Sequence, residues 1–258
     1  MELTFQASAL KDLEYIADKD SHSILISGIR GCGKTYVANQ FAKMKHISTF
    51  HSIQPKIADI RTMMSQSLSL SDNQVICIED LDDGVYGTSQ ALLKYLEEPT
   101  DNIYVIITCN NVSKLTNTIP SRAISVSISH PVAKDLQGFA KYVNSSRYKQ
   151  YYDSLVFKSC KSLSDIKTVI NFTNDQVQYF ENYKNENFLR GSVDSLMWNM
   201  SHFDDNQPCD ISWCFKCIVT GDCSTIIKRA AIDSLLQLEG KRISKTAILG
   251  EFAMKVKL

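Results

Sequence analysis

The chain has no excess of either charge. Its 258 residues carry 28 Lys and Arg against 28 Asp and Glu. No global field therefore draws it to nucleic acid or lipid, and any DNA contact has to rest on a local patch. It has no apolar run of membrane-spanning length, so no membrane is expected among its partners. Its first residues, Met1-Glu2-Leu3-Thr4-Phe5, lack the basic-then-apolar layout of a secretion signal. The expectation is a cytoplasmic protein of one large domain or two to three small ones, with ample core. Eight cysteines are present. In such a compartment they are expected to stay reduced, Cys32, Cys77 and Cys109 falling in loop and strand positions.

What the chain does have is a phosphate-binding pattern. Gly28-Ile29-Arg30-Gly31-Cys32-Gly33-Lys34-Thr35 fits G-x-x-x-x-G-K-[ST]. The apolar run Ser23 to Ser27 precedes it and the helical pattern Tyr36 to Lys43 follows it, which is the strand–loop–helix context the motif needs. Glycines let the backbone curl so that several N–H groups point at one phosphate. The following helix adds its positive end. Lys34 is placed to reach the β- and γ-phosphates of a bound nucleotide, and Thr35 offers a hydroxyl to Mg²⁺.

Two more apolar runs read as buried parallel strands. Val75-Ile76-Cys77-Ile78 ends in Glu79-Asp80, and carboxylates at that end face the crevice where ligands bind in open α/β sheets. Glu79 is assigned to the metal and Asp80 to the attacking water; the alternative is a solvated acidic loop. Ile103 to Ile107 runs into Thr108-Cys109-Asn110. Asn110 is placed to sense the γ-phosphate, or else caps the next turn.

At this point the residues resemble AAA+ ATPases of the sliding-clamp-loader type, the gamma and delta-prime subunits of DNA polymerase III and the small subunits of replication factor C. Ala91-Leu92-Leu93-Lys94-Tyr95-Leu96-Glu97-Glu98-Pro99 is similar to the family's A-L-L-K-x-L-E-E-P helix. Cys109-Asn110-Asn111-Val112-Ser113-Lys114-Leu115 leads to Ser121-Arg122, which resembles the family's S-R-C motif with Ala123 in place of the cysteine. The likeness covers roughly residues 20–130. It implies an α/β P-loop AAA+ core with a parallel sheet (1–131), a small helical lid (132–188) and a helical collar for oligomerisation (189–258). It implies ATP and Mg²⁺ as cofactors. It also implies a pentameric ring with other clamp-loader subunits, and a sliding clamp and primer–template DNA as partners. Arg122 is then a finger into the neighbouring subunit's ATP site, suited to it as a permanent planar cation; the alternative is a surface or salt-bridged arginine. Lys167 matches the basic residue of the family's lid helix by local pattern, or else is a solvated helix lysine.

Two departures stand out. The family's strand ends Asp-Glu where this chain has Glu79-Asp80, which makes ATP binding the safer expectation than fast hydrolysis. The stretch before Pro55 has no room for the cysteine-bearing zinc insert of some bacterial loaders, so on that point the chain looks more like compact viral or archaeal-eukaryotic small subunits. A helicase loader or other remodeller, and a non-hydrolysing ring subunit, share the same motifs. An ordinary P-loop kinase leaves the Arg122 segment unexplained.

Elsewhere the patterns are mostly helical. Leu92, Leu93 and Leu96 share a face for packing on the sheet. Ser162 or Ser164 caps a helix that contains Lys167. Residues 171–187 read as a loop or linker. Ser224 caps a helix running through Leu238 to a stop at Gly240, with Ile227, Ala231, Leu235 and Leu238 as its stripe. Cys209, Cys214, Cys217 and Cys223 are either buried thiols or zinc ligands; Trp213, Phe215, Cys217 and Ile218 form a buried stripe that favours thiols. Met63-Met64 and Leu68-Ser69-Leu70 pack in the core or dock the clamp.

Overall fold

The computed structural model describes residues 4–19, 21–67, 71–85, 87–189, 192–204, 207–240 and 243–257. The chain divides into two compact units, Met1–Leu136 with Ser162–Ser164 and Gln137–Lys161 with Asp165–Leu258. The second holds most of the residues that the sequence assigns to lid and collar, while 132–136 and 162–164 of the expected lid fall in the first.

The first unit holds α1 (Ala7–Asp18), β1 (Ser23–Ser27), α2 (Lys34–Met44), β2 (Thr49–Ile53), α3 (Ile57–Ser67), β3 (Gln74–Ile78), α4 (Thr88–Glu97), β4 (Ile103–Cys109) and β5 (Ile124–Ser127). Its five strands lie in the order β2-β3-β4-β1-β5 and every pairing is parallel. The three central strands are buried almost throughout, which is why each reads as a continuous apolar run. The two edge strands are not: β2 is intermediate or exposed along its length, and β5 buries only Val126.

The helices cover the sheet with apolar faces. On α2, Val37, Ala38, Phe41 and Ala42 are buried. On α4, Leu92 and Leu96 enter a core with Ile76, Ile78, Val105 and Ile107, and Leu93 packs at its edge. Truncating a fully buried leucine such as Leu92 to alanine costs about 2–5 kcal/mol. Met64 is fully buried in this same core and Met63 packs against it, so these methionines are scaffold, not an exposed docking face. Leu68, Ser69 and Leu70 lie outside the described residues.

The second unit is helical. Its helices are α5 (Ala133–Val143) and α8 (Leu163–Ile170), each of which begins in the first unit, and α6 (Ser145–Tyr151), α7 (Leu155–Lys158), α9 (Asn174–Glu181), α10 (Val193–Ser201), α11 (Ile211–Thr220), α12 (Thr225–Glu239) and α13 (Lys245–Lys257). A short β6–β7 pair (His202–Asp204, Gln207–Pro208) lies between α10 and α11. The expected linker over 171–187 is instead largely helical. Thr173 and Gln176 form a reciprocal capping box at the start of α9, satisfying two amides that otherwise lack partners. Val177 and Phe180 point inward from that helix. The helix after Ser224 is present, but the Ser224 side chain makes no cap bond; its backbone N–H donates to Glu186 Oε1.

Trp213, Phe215, Cys217 and Ile218 are all buried on α11, with Phe215 edge-on to Phe252 at 4.9 Å. Cys209, Cys214, Cys217 and Cys223 are buried too. Cys214 Sγ donates to Met200 O at 3.5 Å, and Ser159 Oγ lies 3.7 Å from Cys217 Sγ. Among the described residues, no group of three or more His, Cys, Asp or Glu is arranged to hold a metal ion. No helix among them is long and apolar enough to cross a membrane.

Candidate functional site

The site lies where β1, β3 and β4 end. Parallel register brings Ser27 level with Cys109, and Ile78 level with Ile107. The residues that follow each strand therefore meet at one edge of the sheet, and chain reversal toward different helices opens a crevice there.

The loop after β1 is shaped by two glycines. Gly31 and Gly33 have φ of +77° and +93°, the left-handed region that side chains with a Cβ rarely adopt. Gly31 also faces the turn into α8. A Cβ on it would come within 2.6 Å of Ser164 Cβ and 2.7 Å of Ser162 Oγ, and the Ser164 N–H donates to Gly31 O at 3.3 Å. On the other side the buried Gln6 donates from Nε2 to Cys32 O at 2.7 Å. The loop is thus gripped by residues far apart in sequence. Ser162 and Ser164 appear in the sequence only as possible caps, and Gln6 carries no signal at all. Cys32 is fully buried in the loop, and that burial raises its thiol pKa against the opposing pull of Lys34. Arg30 is 70% exposed, with Asp83 at 4.0 Å. Ile29 contributes its carbonyl, which accepts from the Cys32 N–H at 3.2 Å.

α2 starts at Lys34, so its first-turn N–H groups have no partner within the helix and face the loop. The Lys34 side chain is only 6% exposed. Its ammonium donates to Gly28 O at 3.2 Å, Ile29 O at 3.3 Å and Asn110 Oδ1 at 2.8 Å, and it pairs with Asp80 Oδ1 at 3.2 Å. Thr35 donates to Glu79 Oε1 at 2.9 Å. Glu79 also accepts from Ser52 Oγ at 2.6 Å and Gln54 Nε2 at 3.2 Å, both from β2 or just beyond it. The structure thus joins Lys34, Asp80 and Asn110 in one cluster and Thr35 with Glu79 in another. Asp80 has a left-handed backbone, φ 44° and ψ 55°, and its N–H donates to Thr108 Oγ1 at 2.9 Å.

Asp82 is a residue that sequence reasoning passes over. Its Oδ1 accepts from the Asn110 N–H at 2.9 Å and from Asn110 Nδ2 at 3.4 Å, while Oδ2 accepts from the Asn111 N–H at 3.0 Å. Nothing in an Asp-Asp pair within an acidic turn distinguishes such a carboxylate from a solvated one.

Arg122 stands apart from both clusters. Its guanidinium pairs with Glu97 Oε1 at 2.7 Å and donates to Thr118 O at 3.1 Å and Ser121 Oγ at 3.4 Å. Lys167 belongs to the second unit, where its ammonium lies 6.0 Å from the centre of the Phe139 ring.

Chemically, left-handed glycines, a helix start and a buried ammonium form a receptor for phosphate. A hydroxyl bonded to a carboxylate forms an all-oxygen pair of the kind hard divalent cations take. These residues fit a nucleotide with Mg²⁺.

Comparison with known proteins agrees with this architecture. Residues 45–131 match the family model described as DNA polymerase III, delta subunit. The DNA polymerase III subunit delta' of Haemophilus influenzae is 26% identical over 113 residues, 40% of this chain and 34% of that protein. Subunit gamma of Buchnera aphidicola subsp. Schizaphis graminum is 26% identical over 155 residues, 48% of this chain and 43% of that protein. The chain therefore spans less than half the length of these curated relatives. Among solved structures, a DNA polymerase III gamma subunit-related protein from Thermotoga maritima superposes with TM-score 0.56 at 15% identity, covering 96% of this chain and 99% of that one. The RuvB Holliday junction branch migration motor of the same organism gives TM-score 0.56 at 15% identity, covering 98% and 85%. At such identities the structural likeness shows the fold. The chain thus shares the fold of these solved structures and, over part of its length, is similar to the gamma and delta' subunits of DNA polymerase III.

Proposed function

We propose that the chain binds ATP with Mg²⁺ and works in the cytoplasm as an ATP-dependent clamp-loader subunit, in a ring with other such subunits, acting on a sliding clamp and primer–template DNA. The observation that carries this is the convergence of Lys34, Asp80 and Asn110 at the ends of three parallel strands, beside the Thr35–Glu79 pair. In this reading the backbone of Gly28, Ile29, Arg30, Gly31, Cys32 and Gly33 cradles phosphates. Lys34 neutralises their charge, and Thr35 and Glu79 hold the metal. When bound there, Mg²⁺ would supply neutralisation of phosphate charge. Asp80 orients the attacking water and Asn110 senses the terminal phosphate. Arg122 acts on a neighbouring subunit's nucleotide. Ile232 and Leu236, one turn apart on α12 and 44% and 61% exposed, are suited to burial on assembly.

The test is MgATP binding and turnover by the full complex with clamp and primed DNA. Lys34→Ala is expected to abolish both; equal turnover by wild type and variant overturns the enzyme reading. The mass of the native assembly with and without ATP tests the ring.

One observation favours a second reading, a subunit that binds ATP without hydrolysing it. The carboxylate assigned to the water is ion-paired to Lys34, and the Glu79-Asp80 order shifts each carboxylate by about one methylene relative to the family pattern. Retention of MgATP through many rounds of loading by the complex selects this reading.

A further inference from the structure

We propose that Asp82 is a positioning residue that fixes which end of the Asn110 amide faces Lys34. The inference rests on the ATP-site reading above and assigns a role within it to a side chain that reading leaves unused.

A carboxamide has an acceptor end and a donor end, and a half-turn about its last bond exchanges them. On one side of Asn110 stands the Lys34 ammonium, which offers only donors, 2.8 Å from Oδ1. On the other stands the Asp82 carboxylate, which offers only acceptors, 3.4 Å from Nδ2. Reversal would set the NH₂ group against an ammonium and the carbonyl against a carboxylate. The orientation is therefore dictated by the chemistry of the two neighbours. Asp82 also holds the backbone beneath that side chain, accepting the N–H groups of Asn110 and Asn111 at 2.9 and 3.0 Å. The surroundings leave little slack. The residue before Asn110 is tied to the phosphate loop, since the Gly28 N–H donates to Cys109 O at 3.2 Å. The Asn111 side chain is committed elsewhere, accepting the Ser113 N–H at 2.9 Å. With Asp82 removed, Lys34 alone is left to orient the amide, and Lys34 is itself shared among three other oxygens.

The consequence falls on discrimination between ATP and ADP, because the Asn110 amide is what would meet a terminal phosphate. The experiment measures affinities for MgATP and MgADP on the full chain, with thermal melting to follow the fold. Asp82→Asn offers both donor and acceptor and loses the sign constraint; it is expected to lower the ATP-over-ADP preference about tenfold. In an Asn110→Ala background the same substitution is expected to change the preference by less than about twofold, since its target is gone. An equal fall in both backgrounds overturns the proposal.

A polarity swap supplies the second measurement and serves if Asp82→Asn alone does not fold. Asn110→Asp sets two carboxylates against each other and loses the preference. Adding Asp82→Asn restores a donor–acceptor pair and is expected to recover at least about half of what was lost; no recovery overturns the proposal. If wild type shows no MgATP binding that Lys34→Ala removes, the ATP-site reading itself fails. Binding that survives with an additive Asp82 effect refutes only the positioning role.

Discussion

Arg122 is bound to Glu97 within its own chain, guanidinium to carboxylate at 2.7 Å. Both side chains are partly exposed, so the pair is worth less than about 1 kcal/mol. It holds the arginine without committing it. Arg122→Ala is expected to leave nucleotide affinity of the isolated chain unchanged and to lower turnover of the assembled complex by about 10³-fold. Unchanged turnover in the complex would remove the finger role. Glu97→Gln should shift the melting temperature of the isolated chain by no more than a few degrees.

The two strand-end carboxylates have different partners, and the proposed function gives them separable roles. Glu79 is bonded to Thr35, so Glu79→Gln is expected to raise the Mg²⁺ concentration needed for ATP binding. Asp80 faces Lys34 instead, so Asp80→Asn is expected to keep Mg²⁺-dependent binding and lose turnover. Titrating MgATP binding against free Mg²⁺ for both variants checks this; identical profiles would merge the two roles.

Gly31→Ala should be among the most damaging single changes in the loop. The new Cβ meets a left-handed backbone and sits 2.6 Å from Ser164 Cβ. Strain and overpacking together are expected to lower stability by about 2–4 kcal/mol. Urea unfolding measures it, and a loss below about 0.5 kcal/mol would mean that the turn into α8 does not press on the loop.

Burial raises the Cys77 thiol from 9.0 to about 12, the carboxylate of Glu79 adding to it, and burial raises Cys109 to about 11. A thiol that stays protonated in the folded chain while the unfolded chain loses its proton makes stability fall as pH rises. For Cys77 the window is pH 9 to about 12, with a limiting slope of about 1.4 kcal/mol per pH unit. Denaturant midpoints across that window should decline, and Cys77→Ser should flatten the decline. In the same vein, iodoacetamide at pH 8 should leave the native thiols largely unmodified and reach all eight cysteines only after unfolding.

Thr173→Ala is expected to cost about 1 kcal/mol, because the capping box at α9 loses its side-chain acceptor. No change in the urea midpoint would mean that α9 does not depend on its cap.

The central sheet was legible because burial on both faces forces apolar runs, and the ends of β1, β3 and β4 follow from them. Gly31, Gly33, Lys34, Thr35, Glu79, Asp80 and Asn110 could be placed at those ends for that reason. The edge strands were not legible: β2 and β5 face solvent along one side and carry no run to read. Residues 171–187 misled through composition, since polar side chains mask a helix whose start signal is the Thr173–Gln176 box. Asp82, Gln6 and the Ser162–Ser164 turn act through distant partners, and spacing along a chain carries no record of such meetings. Lys167 lies three residues beyond Ser164 and five beyond Ser162, the serines that touch the loop, and only local pattern marks it in the sequence.

The left-handed turn at Asp80 constrains which acid can follow Glu79. Aspartate and asparagine adopt that backbone region more readily than other residues with a Cβ, because a short polar side chain can hydrogen-bond locally. The main chain there therefore favours aspartate over glutamate. The inverted order of the two acids thus suits the local backbone, and restoring the family order by exchanging side chains alone would set at that turn a glutamate, which the left-handed region favours less.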